Sequence, residues 1–305
     1  MMDDMDIKII KYLQENGRAS STEIARHLGL HRSTVSKKIN YLLNSGIINI
    51  RALPNLEKLG YRAQALIIVD ADYSRIDDIA EELKDDFNIN LIVTLFGRSN
   101  LLLTVHFFTW ENLLDFVSAR LSTIDGVNGV ETHFIHEIKQ RYFGIFEDNA
   151  GVSKADETEQ KIIERLAKNG RYTALQLSND IGVSLPTCLK KLHYSLHNNH
   201  ITVKALPNPT KFGFVADIFV LLRVKQEQLD NVCSILGSFG DLHSLYTLSP
   251  SSYNILFGMH KKTPEELFSS VKIAINNISL VSPIKDMKMY LRSEVIKRYY
   301  GGFFE

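Results

Sequence analysis

The sequence predicts an α+β chain built as a tandem repeat, each copy a winged helix-turn-helix head followed by a βαββαβ ferredoxin-like sandwich. Three observations predict it. The tetrapeptide ALPN at Ala52–Asn55 returns at Ala205–Asn208, and the tripeptide NGR at Asn16–Arg18 returns at Asn169–Arg171, both at a spacing of 153. The same spacing brings Lys8-Ile9-Ile10 onto Lys161-Ile162-Ile163, Gly29 onto Gly182, Lys37-Lys38 onto Lys190-Lys191 and Gly60 onto Gly213. Within each copy the apolar pattern changes once, from a purely helical period to alternating strands and helices. A period this long marks a duplication of whole domains, not a solenoid.

The elements follow in order. Ile9, Ile10 and Leu13 make one apolar helical stripe, and Ser20 with Glu23 has capping-box spacing ahead of Ile24 and Leu28. Gly29 makes the turn. A third helix carries Val35, Ile39 and Leu42 on one face and stops before Gly46. The second copy repeats this with Thr173 and Gln176 at the cap, Gly182 in the turn, and Cys188, Leu192 and Leu196 facing inward. Strands are then expected at Ala63–Ala71, Asn90–Phe96, Asn100–Phe107 and Val130–Ile138, with helices at Ile76–Leu83 and Glu111–Leu121 and a tight turn at Gly97. The second copy gives the same order from Asp217 through Lys297. The expected domains are a head at 1–51, a sandwich at 52–147, a polar linker at 148–156, a divergent head at 157–204 and a second sandwich at 205–305.

Composition bounds the function. With 305 residues the chain has room for two to four domains. Its 35 basic and 35 acidic residues leave no global basic field, so affinity for nucleic acid must come from a local patch. Two cysteines, Cys188 and Cys233, without CxxC spacing argue against a disulfide scaffold and fit a reducing cytoplasm. The acidic start MMDDMD precedes no signal-peptide apolar region, and no apolar run reaches the length of a membrane span. The expectation is a soluble cytoplasmic protein.

The stretch His31–Asn40 (HRSTVSKKIN) has the composition of a recognition helix. Val35 and Ile39 point inward, while Arg32, Ser33, Ser36, Lys37 and Asn40 share the opposite face. Arg can pair guanine, Asn can pair adenine, and Ser, Thr34, Lys37 and Lys38 can hold phosphates. The window Met1–Arg51 has 8 basic residues against 5 acidic. In the second copy only Thr187, Lys190 and Lys191 keep this chemistry; Leu185 replaces Arg32, Leu189 replaces Ser36 and His193 replaces Asn40. The heads are therefore expected to be unequal, the first reading sequence and the second holding phosphates weakly or docking on protein.

Each half resembles the Lrp/AsnC, or feast/famine, regulator family over nearly its whole length. The stretch Asp6–Ile48 is similar to the family's DNA-binding head. The stretches Glu57–Ala71, Thr94–Val105 and Ser122–His133 resemble the entry, the strand–Gly turn–strand and the approach to the last strand of its effector domain. The resemblance implies a transcription regulator that binds double-stranded DNA, dimerises through its sheets, assembles into homo-oligomers and senses small molecules, often amino acids, near the Gly turn. The implied effector residues are Gly97, Arg98, Ser99 and Asn100; the family usually has Asp where Asn100 stands, and an amide can only hydrogen-bond an ammonium. In the second copy the turn lacks the Gly and is one residue longer. Both partners of the family's dimer would lie in one polypeptide, paired at an effective concentration of roughly mM.

No catalytic residue, cofactor or metal ligand is expected. His193, His197 and His200 fall at helical spacing, but histidines near a helix C-terminus also suit its dipole. His133 and His136 face opposite sides of a strand, and Cys188 packs inward at the position of Val35. One enzyme reading stands as the alternative. Ser252–Lys262 (SYNILFGMHKK) is similar to the Tyr-Asn…Met…His strand of the sirohaem decarboxylases, which are built from paired Lrp-like units; Ser249–Ser252 stand where that family has its Arg- and His-rich approach.

Overall fold

The computed structural model describes residues 2–97, 99–141, 152–249 and 252–298. The first copy contains α1 (Asp4–Glu15), α2 (Ser21–Leu28), α3 (Arg32–Asn44), β1 (Ile48–Pro54), β2 (Ala63–Ala71), α4 (Ile76–Leu83), β3 (Ile89–Leu95), β4 (Leu101–Phe107), α5 (Trp110–Asp115) and β5 (Val127–Arg141). The second contains α6 (Glu157–Lys168), α7 (Ala174–Ile181), α8 (Leu185–His197), β6 (Ile201–Pro207), β7 (Ala216–Arg223), α9 (Leu229–Gly237), β8 (Leu242–Leu248), β9 (Ile255–Lys261), α10 (Pro264–Val281) and β10 (Asp286–Arg298). Among the described residues these elements gather into two compact units: one joins both heads, up to Gly60 and from Val152 to Phe212, and one joins both sandwiches, Tyr61–Arg141 with Gly213–Arg298.

Local chemistry sets the helix ends in the heads. Ser20 and Glu23 form a reciprocal capping box at α2, and Thr173 and Gln176 form its counterpart at α7. Gly29 and Gly182 close these helices in the left-handed region, at φ 67° and 73°. Ile9, Leu13, Ile24, Val35 and Leu42 are fully buried. In the second head the inward position is Ser195, not Leu196. The Ser195 hydroxyl donates to Glu159 at 2.7 Å, and the His200 ring lies 2.5 Å from the same carboxylate oxygen. At the 153 spacing these three residues replace Asp6, Leu42 and Ile47, so a polar network stands where the first head has a carboxylate held by Lys38 beside two apolar residues.

The two heads pair through β1 and β6, antiparallel, with Arg51 opposite Lys204. Those two residues are themselves repeat equivalents, so a pseudo-two-fold axis passes between them. β1 runs across the expected boundary at 51/52, and β6 across that at 204/205, because pairing with each other holds both strands in the head unit. Both repeated tags act at this seam. Gly17 N–H donates to the Val203 carbonyl at 3.0 Å and Gly170 N–H to the Ile50 carbonyl at 2.8 Å. A Cβ on Gly17 would lie 2.8 Å from that carbonyl, which explains the glycine. At the strand ends, Asn55 N–H donates to the His200 carbonyl at 2.8 Å and Asn208 N–H to the Ile47 carbonyl at 2.9 Å.

In the other unit, the sheet closes in the order β10-β3-β4-β2-β5-β8-β9-β7. Alternate residues of β2 serve two cores. Ala65, Ile67 and Val69 face α4 and α5, whereas Leu66 and Ile68 meet Phe219, Leu221 and Leu256 of the second copy. The two sandwiches therefore pair within the chain. β5 extends beyond the expected Val130–Ile138 because its first half pairs with β2 and its second half with β8. The helix expected at Glu111–Leu121 is present but irregular: α5 passes without a gap into a π turn at Phe116–Arg120 and a 3-10 turn at Leu121–Thr123. There the hydroxyls of Ser118, Ser122 and Thr123 donate to the carbonyls of Leu114, Val117 and Ala119 and compete with the regular ladder.

Candidate nucleic-acid interface

α3 is anchored by Val35, Ile39 and Leu42 and presents Arg32, Ser33, Lys37 and Asn40 to solvent, with Thr34 and Ser36 half-buried beside them. Lys38 departs from the expectation. Its ammonium sits 2.8 Å from both the Asp3 and Asp6 carboxylates, which hold its pKa above the usual lysine value. Asp3 and Asp6 form the capping box of α1, so Lys38 braces α3 to α1 instead of facing a groove. Lys191 repeats the brace by pairing with Asp156, the cap of α6.

On α8, Thr187 and Lys190 are exposed, but the Thr187 hydroxyl lies 2.8 Å from that of Ser184, which caps the helix. Leu185 and Leu189 remain 38% and 39% exposed and do not rotate into the core. On its outward face α8 thus presents Lys190 and an apolar pair where α3 presents Arg32, Lys37 and Asn40. The outward faces differ although the scaffolds agree.

The turn before β4 is also reassigned in part. Gly97 is exposed at φ 124° and the Ser99 hydroxyl bonds Tyr290, while Arg98 lies outside the described residues. Asn100 is 3% exposed and its amide is spent on backbone: it accepts from Ala71 N–H at 3.1 Å and donates to the Ala71 carbonyl at 2.6 Å. Asn254 does the same for Val224, the repeat equivalent of Ala71, at 3.0 and 3.1 Å. The Asn is a structural clamp in both copies, and the extra residue of the second turn is absorbed before it.

Of the three spaced histidines, His193 and His197 are exposed while His200 turns into the core against Glu159. The Cys188 thiol is buried, and burial pushes its pKa up. Among the described residues, no helix is long and apolar enough to cross a membrane. Sequence reasoning missed Arg18 and Arg171, which cross the head seam; the repeated NGR was the visible signal. It also missed the Glu159–Ser195–His200 network, whose only signal was the simultaneous loss of two apolar residues.

Residues 2–42 match the AsnC-type helix-turn-helix domain, and residues 156–192 match a winged helix-turn-helix DNA-binding domain. An uncharacterised HTH-type transcriptional regulator of Pyrococcus furiosus is 33% identical over 141 residues, covering 46% of this chain and 95% of that protein. One of Pyrococcus horikoshii is 31% identical over 140 residues, covering 46% of this chain and 89% of its own. Among solved structures, the siroheme decarboxylase NirDL aligns with TM-score 0.69 over 99% of this chain and 95% of its own. At 17% identity that likeness is one of fold.

Proposed function

From a chain that belongs to the Lrp/AsnC family of helix-turn-helix transcriptional regulators, in two fused copies, we propose a sequence-specific DNA-binding regulator whose first head does the reading. The observation that carries this reading is the outward face of α3. Arg32 and Asn40 are free for base edges, Ser33 and Lys37 for phosphates, and all four stand on a helix locked by three buried apolar residues. α8 has the same scaffold without the reading residues, so the second head contributes Lys190 and shape. A small-molecule effector at the turn of the first sandwich would meet Gly97 and Ser99, not the Asn100 amide. Assembly of whole chains into homo-oligomers follows the family. The test is a gel shift with DNA from upstream of the protein's own gene. A salt-sensitive complex that survives nonspecific competitor supports the reading, and equal binding to all duplexes overturns it.

The whole-chain likeness to a siroheme decarboxylase favours a second reading, that of an enzyme. Its residue basis is reduced by the geometry. Asn254 has the clamp role that Asn100 has in the first copy, Met259 is fully buried in the second core, and the Tyr253 hydroxyl donates to Asp286 at 2.9 Å. Incubation with sirohaem should give no decarboxylated product; product formation would replace the regulator reading.

A further inference from the structure

β5 and β10 occupy equivalent places in the two sandwiches. Glu131 pairs with Ile68 on β2, and Lys288 pairs with Leu221 on β7. Ile68 and Leu221 are repeat equivalents, so Glu131 and Lys288 are equivalents as well. The structure brings these two together: the Lys288 ammonium lies 2.7 Å from the Glu131 carboxylate. A residue that meets its own equivalent stands on the pseudo-two-fold axis. In a symmetric pair of first copies that place would hold Glu against Glu, and in a pair of second copies Lys against Lys.

A second pair of equivalents repeats the asymmetry away from the axis. Lys297 on β10 is opposite Ile92, and Gln140 on β5 is opposite Leu245, again at matching positions. The Gln140 amide donates to the Leu242 carbonyl at 2.7 Å. The Lys297 ammonium is buried at 3% exposure, donates to the Asp86 carbonyl and lies in the field of Asp86 and Asp85. The second copy has Ser238 and Phe239 where the first has Asp85 and Asp86. A second copy facing another second copy would bury Lys297 against those two, and the carboxylate that follows them, Asp241, is already held by Lys261 at 2.9 Å.

We infer that the sandwich interface accepts only the opposite copy: Glu131 with Lys288, and Asp85 and Asp86 with Lys297, form a charge code that rejects pairing of like with like. Opposed charges favour the correct pairing, while repulsion and an uncompensated buried ammonium act against the wrong one. Duplication permitted this, because a residue on the axis of a true homodimer faces itself and cannot be complementary in charge. Larger assemblies that use this interface must then alternate first and second copies.

The test keeps the full chain and imposes the self-paired environments on it. Glu131→Lys creates the Lys–Lys axis, and Lys288→Glu creates the Glu–Glu axis. Each should lower the thermal midpoint by a few degrees, and the double reversal should recover more than half of the combined loss. For the second pair, Asp85→Ser with Asp86→Phe surrounds Lys297 as self-pairing would, and adding Lys297→Gln should restore part of the lost midpoint. Simple addition of the losses in both combinations would overturn the inference, because residues that do not sense each other show no recovery.

Discussion

Arg18 and Arg171 stitch the two heads together reciprocally. The Arg18 guanidinium donates to the carbonyls of Gly170 and Tyr172 at 2.8 and 3.0 Å, and that of Arg171 donates to the carbonyls of Gly17 and Ala19 at 3.1 and 2.7 Å. Burial lowers the pKa of both, and each holds its charge by spending it on backbone oxygens. The repeated NGR is thus an interface motif: the Gly permits the close approach and the Arg closes it. Each arginine replaced by Ala should lower the stability of the head unit by about 2 kcal/mol, the range for hydrogen bonds to charged groups. Denaturant midpoints measure this, and an unchanged midpoint in both variants would deny the seam its role.

The lysines of α3 should separate by function. Lys37→Ala should weaken binding to all duplexes and reduce the salt slope by about one. Lys38→Ala should leave the slope unchanged and lower thermal stability, since its partners are Asp3 and Asp6. Arg32→Ala should narrow the gap between specific and nonspecific DNA by about 1–3 kcal/mol if Arg32 reads a guanine. Salt titrations of binding on matched and scrambled duplexes decide all three.

The heads should respond unequally to charge reversal. Lys37→Glu should abolish specific binding, whereas Lys190→Glu should reduce affinity several-fold and leave preference intact. Equal loss from both variants would mean that α8 reads DNA as α3 does.

Lys297 gives a pH dependence. Burial holds its amine down to about 8, against 10.5 for the free side chain. Between these values the unfolded chain binds more protons than the folded one, so this group's contribution is full above 10.5 and is lost as pH falls to about 8. The difference amounts to about 3 kcal/mol. Urea unfolding at pH 8 and pH 10 should show a smaller rise in stability for Lys297→Gln than for the parent.

The polar network of the second head should tolerate removal as a set but not piecemeal. His200→Ile alone leaves the Glu159 carboxylate buried beside an apolar residue, at a cost of roughly 3 kcal/mol. Combining Glu159→Asp, Ser195→Leu and His200→Ile restores the first head's residues and should recover much of that loss. A triple variant less stable than the single one would show that the network is not interchangeable with apolar packing.

What could be read directly from the chain was local. The capping boxes at Ser20 and Thr173, the left-handed Gly29 and Gly182, the strand at Ala63–Ala71 and the helix at Ile76–Leu83 depend on neighbours within a few residues, and the sequence by itself determined them. The spacing of 153 likewise settled that there are two copies, because identity at a fixed offset needs no coordinates. Long-range contacts decided the rest. Lys38 looked like a phosphate ligand until Asp3 and Asp6 were seen beside it; Asn100 looked free until the Ala71 backbone closed on it. His200 belonged to a row of histidines until Glu159, far away in the chain, claimed it. The pairing of Glu131 with Lys288 had no local signature at all, since the residues are 157 apart and meet only when two sheets close around one axis. A side chain's partner is set by which surfaces fold together, and only the tertiary structure brings those surfaces into contact.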